Sequence, residues 1–232
     1  MSVIIDRNAD NKCFSAFDAL KIDYYKSYDI NVLYRPVNTH PDMQIHFIDK
    51  SHAVVAPCAF EYYRSILPER VFLQKGITDP DGTYPGDISY NIAKIGNRIV
   101  GNLKYTDKTL LNIYSELGCE FINVNQGYAK CSLCIVDENS VITEDEGIYK
   151  TLLSKGIDVL KLSSREISLP GFPYGFIGGA SGFINDNTIA FLGNIRNHTE
   201  YKKIENFVKS KRVNIISLLS TKTTDFGSIL YF

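Results

Sequence analysis

The side chains able to do chemistry cluster in three short stretches. One is His40-Pro-Asp42, with His46 further along the same segment. Another is Pro85-Gly-Asp87, preceded by Tyr84. The last is Tyr128-Ala-Lys130-Cys131, with Cys134 completing a Cys-x-x-Cys. Asp42 and Asp87 suit a planar guanidinium, which a carboxylate meets with both oxygens. Together with Lys130 they could hold a cationic or zwitterionic small molecule. The same charges could instead form a buried ion network that fixes packing, since buried charges need partners. Cys131 directly follows an ammonium group, and nearby positive charge favours the thiolate. It is therefore a candidate nucleophile, with His46 as candidate proton carrier. The plainer expectation is that Cys131 packs as a small apolar side chain.

Metal and phosphate chemistry have weaker support. Cys131 and Cys134 lie in a segment that alternates like a strand, where residues three apart face opposite sides. No second Cys-x-x-Cys follows, so neither a zinc site nor a redox pair is expected. His40, Asp42 and His46 have ligand-like spacing, but pairing with neighbouring carboxylates or backbone explains them as well. No metal and no cofactor is expected. Gly175-Phe-Ile-Gly-Gly-Ala-Ser-Gly182 is glycine-rich, yet it runs into a strand and hairpin. A phosphate cradle would open a helix there. Close backbone approach at the channel, or room left for a ligand, is the better account of those glycines.

The elements that must position these groups repeat with a period of about 45 residues. Strand-like runs at Ser51–Pro57, Arg98–Asn102, Ser140–Asp145 and Thr188–Asn194 are each followed by a helical stretch. A short β-rich run then closes each copy, at Arg70–Leu73, Glu120–Val124, Asp158–Leu162 and Asn214–Leu218. Opening strands are predicted at Gly86–Ala93, Lys130–Val136 and Ala180–Ile184. Helices are predicted over Lys108–Leu117 and Glu146–Lys155, capped by Thr106 or Asp107 and by Asp145, and stopped by Gly118 and Gly156. Another is capped near Thr199. A fifth copy is split between the chain ends. Asp225–Phe232 supplies its opening strand, and Ser2–Asp6, a helix over Ser15–Tyr28 and Asn31–Tyr34 supply the rest. Repeat units of this size cannot bury their faces alone, and a copy shared by both termini requires the array to close. The expected fold is α/β: a five-bladed ββαβ propeller closed by pairing the N- and C-terminal segments, with residues 1–232 in one domain. Aligning the copies places Asp42, Asp87, Lys130, Gly179 and Gly227 around a central channel, with a one-residue bulge in the first copy. The Gly- and Pro-containing connectors Gly76–Pro85 and Ser163–Pro173 are loops suited to building a ligand site at one end.

Composition narrows the function classes. Lys and Arg number 25 against 26 Asp and Glu, for a net charge of −1. That near-neutral balance gives no reason to expect nucleic acid as a partner. The basic run from Lys202 to Arg212 reads as one solvated helix face. No apolar run is long enough to span a bilayer, so no membrane partner is expected. Five cysteines without framework spacing, and a start lacking a leader pattern, predict a reduced, cytoplasmic protein.

The split fivefold repeat resembles the pentein, or guanidino-group-modifying enzyme, superfamily, and the resemblance spans the whole chain. Pro41-Asp42, Pro85-Gly86-Asp87 and Tyr128-Ala-Lys130 are similar to the motifs that open the family's blades. The resemblance implies a central site in which a cysteine attacks a guanidinium carbon while a histidine and an acid assist. The family's glutamate position falls on Tyr84, its histidine position on Tyr128, and its cysteine position on Gly227, beside Ser228. The expected protein is therefore a divergent member that binds a guanidino- or amino-acid-like molecule through Asp42, His46, Tyr84, Asp87, Tyr128 and Lys130 without the usual catalytic set. Two alternatives stay open. One is a hydrolase or transferase acting on a C–N bond through a relocated nucleophile, Cys131. The other is a non-catalytic protein-interaction scaffold.

Overall fold

A computed structural model describes residues 1–232. Its strands form five separate three-stranded sheets, one per repeat. β1 (Ser2–Ile5), α1 (Asn11–Leu20) and β2 (Asp23–Lys26) open the chain. The first complete blade holds β3 (Ile45–Phe47), β4 (His52–Val55), α2 (Phe60–Ile66) and β5 (Phe72–Lys75). The second holds β6 (Ala93–Ile95), β7 (Arg98–Gly101), α3 (Lys108–Glu116) and β8 (Glu120–Asn123). A helical turn, α4 (Ala129–Ser132), leads into the third, with β9 (Cys134–Asp137), β10 (Ser140–Thr143), α5 (Glu146–Ser154) and β11 (Asp158–Lys161). The fourth holds β12 (Ser181–Asn185), β13 (Thr188–Phe191), α6 (Tyr201–Ser210) and β14 (Asn214–Ser217). β15 (Leu230–Tyr231) ends the chain.

Each sheet joins an antiparallel pair to a parallel third strand. The fifth blade obeys the same rule across the termini: β15 pairs antiparallel with β1, Val3 opposite Tyr231, and β1 pairs parallel with β2. The ring is thus closed by the split copy.

Local sequence explains these elements. The central strands β1, β10 and β13 read Ser-Val-Ile-Ile, Ser-Val-Ile-Thr and Thr-Ile-Ala-Phe, and all their residues are buried. Short β-branched runs of this kind suit strands covered on both faces. The third strands are the outer ones and are partly or fully exposed along most of their length, as in Asp23–Lys26 and Phe72–Lys75. Asp10, Asp107 and Asp145 cap α1, α3 and α5 by accepting backbone N–H bonds. Gly118 and Gly156 follow α3 and α5 with φ of 69° and 74°, a conformation that favours glycine. Apolar clusters fill the gaps between neighbouring sheets. In one, Val3, Ile5 and Phe17 from the first segment meet Ala190 and Leu192 from the fourth blade.

Three expectations shift. The first helix is Asn11–Leu20 rather than Ser15–Tyr28, and the strand after it is Asp23–Lys26 rather than Asn31–Tyr34. Asp10 caps the helix early, and Lys21 ends it in the left-handed region at φ 56°. The segments entering β6 and β9 are turns rather than strands. Asn91 N donates to Ile88 O, and Ser132 N to Tyr128 O, before the strands begin at Ala93 and Cys134. Bulges interrupt the β9–β10 and β12–β13 pairs, while β3 and β4 pair in continuous register. The chain bends ahead of these strands, so the axial residues Asp42, Asp87, Lys130 and Gly227 sit on turns.

Candidate ligand site in the central channel

The segments ahead of β3, β6, β9 and β15 are laced together by side chains. Pro41–Met43 forms a short 3-10 turn that carries Asp42. Asp42 N donates to Gly227 O, tying the first blade to the last. From the second blade, Asn91 Oδ1 accepts from the backbone N–H groups of Lys130 and Cys131, at 2.8 and 3.3 Å. Its amide lies 3.2 Å from Cys131 Sγ. The Cys131 thiol donates to Asp42 Oδ2 at 3.1 Å. Ser228 Oγ is 2.7 Å from the same Asp42 oxygen and 3.0 Å from Gly178 O, so its single proton serves one of them at a time. Lys130 Nζ donates to Ser228 Oγ at 2.9 Å. Four blades therefore meet through Asp42, Asn91, Cys131 and Ser228.

A second group adjoins this one. The His40 ring lies between two carboxylates, with Nε2 3.9 Å from Asp6 Oδ2 and Nδ1 3.9 Å from Asp225 Oδ1. Asp225 is oriented by Phe176 N at 2.9 Å and Gly227 N at 3.0 Å. Asp6 accepts from Thr39 Oγ1 at 3.0 Å and Asn8 N at 2.7 Å. One ligand atom each from His40, Cys131 and Asp225 lies within 4.8 Å of the others, and all three residues are buried. These are the side chains that could hold a metal ion; the spacing in sequence had instead grouped His40 with Asp42 and His46.

Burial dominates the electrostatics. It raises the carboxyl groups of Asp6, Asp87 and Asp225 above the ordinary aspartate value. It pushes Glu144 up to about 7. The Cys131 thiol is driven well above its usual value by burial first, and then by the charges of Asp42 and Asp225. Cys131 is therefore held as a thiol, despite the adjacent Lys130. Three carboxylate oxygens, Asp42 Oδ1, Asp87 Oδ1 and Glu144 Oε1, are buried without any hydrogen-bond partner.

Two cavities flank the buried layer. One, of about 200 Å³, has His40, Cys131 and Asp225 among its lining groups, together with Tyr128, Tyr174 and Phe176. Part of its wall comes from the connector after β11, pinned where Ser168 bridges to Thr224. The other, about 210 Å³, runs along the opening strands and is lined by Asp42, His46, Lys94, Lys130 and Ser181 among others.

Of the residues singled out in sequence, Asp42, Lys130 and Cys131 are brought together. Asp87 pairs with Tyr128, whose hydroxyl donates to Asp87 Oδ2 at 2.6 Å. Tyr84 is largely exposed and packs its ring 5.7 Å from that of Tyr128. Lys130 forms no ion pair with either aspartate; Ser228 links it to Asp42. His46 stands apart on β3, its Nε2 2.7 Å from Tyr114 Oη. Burial, with Lys130 and Lys94 nearby, lowers His46 to about 3, so its ring is neutral. Asp6, Asn91, Glu144 and Asp225 carried no sequence signal, because each is an isolated polar residue made axial by its blade. Position Gly227 has φ 68°, and a Cβ there would overlap His40. A cysteine at that position would require His40 to move.

The fold matches solved structures. It aligns with DDAH from Pseudomonas aeruginosa, a cysteine-to-serine mutant complexed with citrulline, at TM-score 0.60 and 9% identity, covering 93% of this chain and 91% of that one. It aligns with agmatine deiminase from C. jejuni at TM-score 0.55 and 12% identity, over 94% and 86% of the two chains. For inosamine-phosphate amidinotransferase from Streptomyces griseus the values are 0.54 and 10%, over 93% and 76%. The likeness establishes the pentein fold. No curated protein matches the chain by sequence. A family model described as a family of unknown function (DUF6873) matches residues 4–230. The chain therefore belongs to the DUF6873 family, built on the pentein propeller.

Proposed function

We propose that the protein binds a small cationic or zwitterionic molecule, guanidino- or amino-acid-like, in its central channel, and does so without the catalytic set of the enzymes it resembles. One observation carries this reading: Asp42 Oδ1 is buried with no partner. An unpaired buried carboxylate oxygen is costly, and a bound N–H cation removes that cost. The surroundings agree in sign. Asp6, Asp87, Glu144 and Asp225 are further buried acids, against Lys130 and His40 as bases. The neighbours of like fold include a hydrolase complexed with citrulline and an agmatine deiminase, both concerned with guanidino or ureido groups. Thermal-shift measurements with arginine, agmatine, creatine and free amino acids test the proposal, because a native-state ligand stabilises by mass action. At least one should raise the melting temperature, and Asp42→Asn should remove the rise. No rise with any of them favours an interaction scaffold whose axial charges are structural.

A second reading rests on the convergence of His40, Cys131 and Asp225. In it, Cys131 attacks the guanidinium carbon after passing its proton to Asp42 or His40. The C–N bond breaks as the leaving amine takes a proton, and water then frees the thiol. Release of ammonia or an amine from any panel member, abolished by Cys131→Ala, would establish this activity and end the silent reading.

A further inference from the structure

The walls of the 200 Å³ cavity are as informative as the Asp225 carboxylate and His40 ring that line it. We infer that its ligand is a hydrophobic cation without a carboxylate: an amine, amidine or guanidine on an aryl or alkyl group. This rests on the channel-binding function proposed above, takes the cavity that Asp42 reaches only through Cys131 rather than the one Asp42 itself lines, and narrows the ligand by excluding α-amino acids.

Three observations lead there. First, no lysine or arginine lines the cavity; its charged or ionisable members are His40, Cys131 and Asp225, with Tyr128 and Tyr174. A ligand carboxylate would face Asp225 directly, and Asp6 behind His40, and would compete with both for the one imidazole, which already lies 3.9 Å from each. An unpaired charge in such a place is strongly disfavoured. Lys130 reaches the other cavity, where Ser228 already engages it. Arg165 lies over the outer Tyr174 ring at 4.5 Å, exposed and outside the lining.

Second, the walls form a row of aromatic rings. Tyr128 packs on Phe176 at 6.4 Å and Phe176 on Tyr174 at 6.0 Å, edge to face, while Tyr84, outside the lining, backs Tyr128 at 5.7 Å. Phe172, at the mouth, meets Tyr34 edge to face at 5.4 Å. Ring faces attract cations through their quadrupole, and most strongly when water is excluded. They also bury apolar substituents.

Third, the remaining lining is apolar, with Val37, Met43 and Leu169 contributing and offering no hydrogen bond to a polar tail. The charged end of a ligand is therefore satisfied at Asp225, and its other end meets carbon. Arginine inverts that demand, because its far end carries an ammonium and a carboxylate together.

Calorimetric titration of the full chain with three guanidines isolates the claim. Phenethylguanidine, agmatine and arginine share the cationic head and differ only in the tail. Phenethylguanidine should bind tightest and arginine at least tenfold more weakly than agmatine. Tyr174→Ala should weaken phenethylguanidine about fivefold, the scale of one lost aromatic packing contact on the tail. Phe172→Ala, at a residue 42% exposed, gives a second wall variant that leaves the core untouched. Arginine binding as tightly as agmatine would overturn the inference, as would phenethylguanidine binding no tighter than agmatine; the binding function itself would survive both results. If none of the three binds, the inference fails, and the function beneath it fails as well only if creatine and the free amino acids also give no stabilisation.

Discussion

Cys131 Sγ and Asp42 Oδ2 meet at 3.1 Å although 89 residues separate them in sequence. Each comes from the turn leading into a different blade, so the contact exists only because the ring is closed. It also sets the chemistry of the thiol. A carboxylate beside a buried sulfhydryl holds the proton on sulfur, and Lys130, one residue away, does not reverse this because its ammonium turns to Ser228.

This arrangement predicts an unreactive Cys131 in the free protein. Alkylation by iodoacetamide requires thiolate and access. At pH 8 the folded protein should label at the half-buried Cys119, while Cys131 stays unmodified until denaturant is added. Peptide mass spectrometry reads both sites. Labelling of Cys131 as fast as Cys119 would show that its burial and its carboxylate neighbours do not govern it.

Glu144 predicts a pH dependence. Its Oε2 accepts from Ile177 N at 3.2 Å, but its Oε1 is buried and unpartnered. Burial raises the folded value to about 7 from an ordinary 4.5. For a raised carboxyl, the folded state holds its proton after the unfolded state has lost it. The relative stabilisation is complete below pH 4.5 and is lost as pH rises through 7. Glu144→Gln removes this loss. Urea denaturation should show the variant gaining on the wild type by up to about 3 kcal/mol between pH 4 and pH 8. The difference between the two proteins is the proper measure, because neutral His46 imposes the opposite trend as pH falls. A constant difference across that range would mean Glu144 titrates normally.

Ring closure predicts the effect of losing the last strand. Removing Asp225–Phe232 exposes the β1 edge at Val3 and Ile4, and takes Phe232 from one core and Ile229 from another. Exposed strand edges and lost core side chains both destabilise. The truncated chain should melt many degrees lower, or associate through the open edge, as circular dichroism and light scattering would show. An unchanged melting temperature with a monomeric species would mean the terminal pairing contributes nothing to the fold.

Much of the architecture was legible in the chain because it is periodic. Buried runs such as Ser140–Thr143 and Thr188–Phe191 state their strands through β-branched residues. Asp107 and Asp145 state their helix starts, and Gly118 and Gly156 their ends. The split copy announced that the ends must meet, since a blade lacking a strand cannot cover its face. The same patterning put Asp42 and Lys130 near the axis. It misplaced the strand after α1, because Asp23-Tyr-Tyr-Lys26 is polar at both ends and looked like a helix continuation.

The site's chemistry came only with the tertiary structure. Nothing in sequence joins His40 to Asp6 and Asp225, or Asn91 to Cys131, because each partner stands on a different blade and carries no local pattern. Whether Cys131 is thiolate or thiol depends on its burial and on which charges face it, and whether His46 is a base depends on its burial and on Lys130 and Lys94 beside it. Periodicity determines where the backbone goes, since it records which faces are buried. Ionisation and recognition are decided by through-space distances between blades, which closure of the ring alone sets.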